Sequence, residues 1–341
     1  MRLKDLIQRT RNNLIELLWR QWTQLGVAGT AEHYDHLIID PEALLLFTME
    51  FGRYDPRLFD EVVDWCMQNE RWLSLQRLKN LAENWERDIS TRSLRALANT
   101  MKSSAKKHRW QTLAQIEIRK PAKPIAFFID IDGTPIPMME QRDIFFAETG
   151  LLRHPIAIRG LSASIPMDAK PLLILKLRSL FGLGPRAEII TYLLTHPNAN
   201  VSEIAHATGY TRPPVQETMN ALAEGHYVTI NQTRSRKLYS VDAERWKCLI
   251  GIDEPFPRWI DWPYAFSALN QLQDFFIEME GNPPSDYILK SRLITLNDRM
   301  RDELSETSLH RIFVESVDLT TVPEEFERRI DILLANLVNQ D

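Results

Sequence analysis

The sequence predicts a mainly α-helical protein with one β-hairpin near its centre, and three observations carry that expectation. Apolar residues recur near the 3.6-residue spacing of an amphipathic helix, from Leu3 through Leu14, Leu18 and Trp22 to Leu25, and again from Phe266 through Leu269, Leu272 and Phe276 to Met279. Asp40-Pro41-Glu42 and Asp55-Pro56 are helix starts, each an N-cap aspartate followed by a proline whose missing N–H costs nothing in a first turn. Between residues 227 and 241 the period shortens: 227–230 and 237–241 are β-prone runs joined by the polar stretch 231–236. Strands alternating with helices, which a parallel α/β sheet requires, are missing.

A chain of 341 residues is too long for one compact unit. The expected divisions are an N-terminal helical domain over 1–120, a connector with short strands over 121–171, a central domain over 172–250 and a C-terminal helical domain over 251–341. A net charge of −5 argues against a protein that coats nucleic acid or anionic membrane indiscriminately. The charge is uneven, however. Residues 87–123 carry ten Lys/Arg against only Asp88 and Glu117, while residues 253–341 carry eight basic residues against eighteen acids. A basic middle between acidic flanks suits a centre that faces phosphate. Cys66 and Cys248 lie far apart without a CxxC, so neither a disulfide framework nor a zinc site is expected, and a reducing cytoplasm fits. The charged N-terminus is no signal peptide, and no run of about 18 apolar residues predicts a membrane span. No cofactor is implied.

In chain order, the first helix ends at Gly26 and Gly29, and Trp19, Trp22, Trp65 and Trp72 sit at helical spacing as core residues rather than as a platform for bases. Residues 94–118 read as one basic helix, stopped by Pro121 and Pro124, and 125–131 as a short strand. The strand ends in Asp130-Ile131-Asp132-Gly133-Thr134, which resembles the first motif of haloacid-dehalogenase-type phosphatases. That resemblance implies Asp130 as nucleophile, Asp132 as general acid and a magnesium ion. The chemistry also needs a later acidic pair and a lysine, and no downstream DD or GDxxxD stands in the sequence, so the segment reads as a turn and no enzyme is expected. Pro155, Pro166 and Pro171 mark a connector. Residues 172–181 then form a helix with Lys176 and Arg178 on its exposed side. Residues 186–194 form another, broken at His196-Pro197. The eight histidines are scattered and read as surface or core residues.

The centre of the chain carries the functional signal. Residues 201–207 form a short helix, with Asn200 or Ser202 as its cap and Ala205 at a close helix crossing. Gly209 follows where a sharp turn wants positive φ. Thr211 caps a second helix, Pro213 and Pro214 occupy its first turn, and Gly225 ends it. With Val215, Met219 and Leu222 turned inward, the outward face is Pro213, Gln216, Glu217 and Asn220, with Arg212 at the tip. Gln and Asn can pair both ways with adenine, Arg can read guanine or clamp phosphate, and Glu can accept from cytosine. The connection between the two β-prone runs brings Arg234, Arg236 and Lys237 to its tip.

A helix-turn-helix followed by a two-stranded hairpin with a basic tip resembles the winged helix-turn-helix domains of bacterial regulators of the MarR and ArsR kind, over about 60 residues. The resemblance implies a central winged domain in a mainly α chain and sequence-specific binding of double-stranded DNA by a homodimer. It places the second helix in a major groove and Arg234, Arg236 and Lys237 along phosphates or a minor groove. The alternative is an interaction scaffold whose winged helix docks a protein partner. The acidic C-terminal helices are expected either to pack on the N-terminal ones or to form a dimer interface.

Overall fold

The computed structural model describes residues 3–338 apart from 33, 86, 105–107, 119–122, 139–140, 233–235, 253–254, 282–283, 306 and 315–321. Helix α1 (Leu3–Gln24) turns Leu6, Ile7, Leu14, Leu17, Leu18 and Trp22 inward. Helix α2 (Pro41–Phe51) is buried at ten of its eleven residues, as a helix apolar all round must be. Its N-cap is Asp40, which accepts from the backbone N–H groups of Glu42 and Ala43. In α3 (Pro56–Asn69) Asp55 caps Leu58 in the same way. Helices α4 (Leu75–Trp85) and α5 (Asp88–Ser103) complete this layer around α2.

The helix expected over residues 94–118 is two pieces, α5 and the short α6 (Gln111–Ala114). The break has a local cause. Ser103 and Ser104 donate their hydroxyls to the carbonyls of Thr100 and Met101, and Ser104 is already extended (ψ 129°). Lys106 and Lys107 lie outside the described residues.

The strand expected over 125–131 is also shorter. The regular ladder is β1 (Ile125–Ala126), running parallel to β2 (Leu151–Leu152) with Ile125 opposite Leu151; Phe127 N–H still donates to Leu152 O, Ile129 makes a lone antiparallel bridge to Pro135, and α7 (Ile144–Glu148) lies between β1 and β2 in sequence. At the end of β1 the carbonyls of Ala126 and Phe127 accept from Arg53, and Phe127 and Phe128 enter an aromatic cluster with Phe59 and Phe146. Asp130 to Thr134 then form a closed turn. Gly133 N–H donates to Asp130 O at 2.8 Å, and Thr134 N–H donates to the Asp132 carboxylate at 3.0 Å. Among the described residues no group of three His, Cys, Asp or Glu is placed to hold a metal ion.

The 153–165 connector lies along α3, where Asp60 accepts from Arg153 and Ala157 N–H, and Asp64 accepts from Leu161 and Ser162. Helices α8 (Leu173–Phe181), α9 (Pro185–Thr195), α10 (Val201–Thr208) and α11 (Arg212–Glu224) follow, then β3 (Thr229–Gln232), β4 (Lys237–Ser240) and α12 (Ala243–Ile250). Together these bury a second core built on Leu177, Ile189, Ile190, Ile204, Val215, Met219 and Trp246. Neither Lys176 nor Arg178 is exposed as expected. Lys176 is half-buried against Asp168, and Arg178 is 2% exposed, paired with Glu42 and Glu188. A charge on a helix reads as solvated until its partners, here 136 and 10 residues away, are known.

Helices α13 (Trp262–Gly281), α14 (Asp286–Glu303) and α15 (Val322–Val338) return to the first core. Phe266 stacks on Phe47 of α2 with ring centroids 4.3 Å apart. Helix α15 runs along α1, where Arg9 pairs with Glu327 and Asp331 and Arg20 donates to Val338 O. The N-terminal and C-terminal helices thus share one apolar core, with α8–α12 forming the second. Among the described residues no helix is long and apolar enough to cross a membrane.

Candidate nucleic-acid interface

Helix α10 begins with a reciprocal cap. Asn200 Oδ1 accepts from Ser202 and Glu203 N–H, and the Glu203 carboxylate accepts from Asn200 N–H at 2.9 Å. It ends at Gly209, whose φ of 71° is the left-handed conformation in which glycine avoids a Cβ clash. Leu81 of α4 stands against that turn: a Cβ on Gly209 would lie 3.0 Å from its Cδ2. Behind the turn, Arg77 of α4 donates to Thr208 O at 2.7 Å.

The turn delivers α11 with the register the sequence predicts. Val215, Met219 and Leu222 are buried in the second core. Thr211, Arg212, Pro213, Glu217 and Asn220 are exposed, and Gln216 is half-buried. Thr211 occupies the N-cap position in extended conformation, but its hydroxyl caps nothing among the described residues. Gln216 donates its amide to Asn220 Oδ1 at 2.9 Å, one turn along, and reaches the Tyr239 hydroxyl at 3.4 Å. The two carboxamides therefore stand as a bonded pair.

The hairpin lies beside this helix. β3 and β4 pair antiparallel, with Thr229 opposite Ser240 and Gln232 opposite Lys237. Tyr227 and Val228, which read as strand in the sequence, precede the ladder. Tyr227 N–H instead closes the end of α11 by donating to Leu222 O. A third short element joins the sheet: Ala199 and Tyr239 exchange both backbone hydrogen bonds, at 3.0 and 2.9 Å. The order is thus helix α9, bridge at Ala199, α10, α11, β3, β4. Asn231 donates to Asn198 Oδ1 at 2.9 Å, fastening the hairpin to the loop before α10.

Arg236 and Lys237 are exposed on the hairpin, and the Lys237 ammonium lies 5.2 Å from the centroid of the Tyr239 ring. Arg234 lies outside the described residues. Glu217 and Glu224 are exposed on the same helix as Arg212. The surface therefore has cations at the helix tip and on the hairpin, and acids along the helix.

Sequence reasoning missed Tyr239. It is 1% exposed, yet its hydroxyl meets Gln216, so one residue ties hairpin, bridge and α11 together. The available signal was a tyrosine on the inward face of a short strand, an apolar ring whose polar tip needs a partner. Asn198, at a left-handed φ of 68° after His196-Pro197, was missed as well. When the chain is compared with known proteins, no family model, no curated relative and no solved structure matches it.

Proposed function

We propose that this protein is a sequence-specific DNA-binding regulator that acts through a winged helix-turn-helix formed by α9–β4, with α11 entering a major groove and the hairpin following the backbone or minor groove. The observation that carries the proposal is the pairing of an outward helix face with a hairpin fixed to the same helix. Arg212, Pro213, Glu217 and Asn220 are exposed, and Tyr239 ties the hairpin to Gln216. At 1.5 Å per residue the 13 residues of α11 span about 20 Å, ample for a groove roughly 12 Å wide.

The division of labour follows from residue chemistry. Arg234, Arg236 and Lys237 would neutralise phosphates and supply sequence-independent affinity. Gln216 and Asn220 would read base edges, each good two-point contact being worth about 1–3 kcal/mol of discrimination. Glu217 is suited to accept from cytosine N4 and repels phosphate, so a net charge of −5 makes strong indiscriminate binding unexpected. One helix reads only a few base pairs, and we propose a homodimer on two half-sites.

Glu217 and Glu224 on the exposed face favour a second reading, in which the same surface docks a basic protein partner as an interaction scaffold. Selection of bound duplexes from a random library, and retention of the promoter upstream of its own gene, separate the two. A regulator enriches one short motif, read as two spaced copies if it binds as a dimer. A scaffold enriches none.

A further inference from the structure

Where α4, the α10–α11 turn and the first turns of α13 meet, they leave a cleft of about 700 Å³, the size that holds a single small organic ligand. Its walls are aromatic and amide. His206 and Tyr264 stand parallel, 12° apart in plane and 4.3 Å between centroids. Across from α10 is Trp85, which adds a third aromatic ring to the lining. Asn80 Oδ1 is taken by Gln76, and the Asn84 amide donates back to Asn80 O. Among the described residues Asn80 Nδ2 and Asn84 Oδ1 remain as one donor and one acceptor on the same wall.

The charge at the cleft selects further. Glu83, held by Lys79, and Glu303, which accepts from Gln271, both line it, and Arg212 stands at its rim. Two carboxylates oppose a polyphosphate inside the cleft, while a neutral ring meets no penalty.

We propose that this cleft binds a purine base or its free nucleoside, with the ring against the aromatic walls and its edge paired to Asn80 and Asn84. A side-chain amide matches the donor–acceptor edge of a purine, and stacking on aromatic rings supplies sequence-tolerant affinity. The proposal stands on the cleft alone and does not depend on DNA binding.

Titration calorimetry of the full chain with adenosine, guanosine and ATP, without DNA, tests it. The expected result is one site per chain for adenosine or guanosine, with ATP weaker than its nucleoside. Asn84→Leu, an exposed substitution, is expected to weaken binding about tenfold at an unchanged thermal midpoint. Should that variant fold poorly, Asn80→Ala removes the Asn80 donor and is expected to weaken binding severalfold. No heat from either nucleoside at millimolar concentration, ATP binding tighter than adenosine, or undiminished binding by the folded variants would overturn the proposal.

Discussion

Arg77 of α4 donates from Nε to the carbonyl oxygen of Thr208, the last residue of α10, and from Nη1 to Asp40 and Glu42 at 2.6 and 2.9 Å. One side chain thus joins the N-cap of α2, the first turn of α2 and the end of the helix preceding the candidate reading helix. Arg178 and Glu188 complete a fully buried group of two guanidinium ions and three carboxylates. Burial pushes the Asp40 carboxyl up, but Arg77 outweighs it and holds it below the usual carboxylate range. Removing one partner of such a group strands the others without solvent. Arg77→Met is expected to cost about 3–5 kcal/mol in urea unfolding. A loss below about 1 kcal/mol would mean that the carboxylates find other partners.

Gly209 sits at positive φ with Leu81 against it, two independent reasons to have no Cβ. Gly209→Ala is expected to cost about 1–2 kcal/mol. Gly209→Asn should cost less, because asparagine tolerates the left-handed region. Thermal unfolding of both variants measures the order, and an alanine variant as stable as the parent would contradict the turn geometry.

Asp261 gives a pH dependence. Burial raises its pKa to about 6, against an opposing hydrogen bond from the Trp259 indole and the nearby His206. The folded value exceeds the unfolded one, so the folded state binds more protons between roughly pH 4 and pH 6. This group's stabilising contribution is present below the unfolded pKa and is lost as pH rises through the folded one. Asp261→Asn keeps the acceptor oxygen and removes the ionisation. Its stability relative to the parent should therefore rise between pH 4.5 and pH 8, by about 2 kcal/mol. A difference independent of pH would show that Asp261 titrates normally.

Asn220 is the exposed member of the Gln216–Asn220 pair. Asn220→Ala should weaken binding to the selected duplex by about 1–3 kcal/mol while leaving binding to unrelated duplex nearly unchanged. Equal losses on both would assign the residue to positioning rather than base readout.

Much of the helical pattern was legible because its signals are local. The N-caps at Asp40, Asp55 and Asn200, the buried stripe of Val215, Met219 and Leu222, and the positive φ of Gly209 need no knowledge of distant residues. The errors arose where long-range partners decide. Arg178 is buried because Glu42 lies beside it, and the ladder of 125–131 with β2 ends where Arg53 takes the carbonyls of Ala126 and Phe127. The bridge at Ala199 is one residue long and leaves no periodic trace. At the candidate interface the exposed face of α11 was readable from the register, whereas the tie through Tyr239 depended on a contact 23 residues apart.

The most direct test of a DNA-binding role is the salt dependence of duplex binding by the parent chain and by a variant with Arg212, Arg234, Arg236 and Lys237 replaced by alanine. The expected result is a steep fall in affinity with salt for the parent. The variant should bind more weakly, with its logarithmic slope shallower by about one unit for each phosphate contact removed. Failure of the parent to bind any duplex at low salt, or an identical slope in a folded variant, would contradict it.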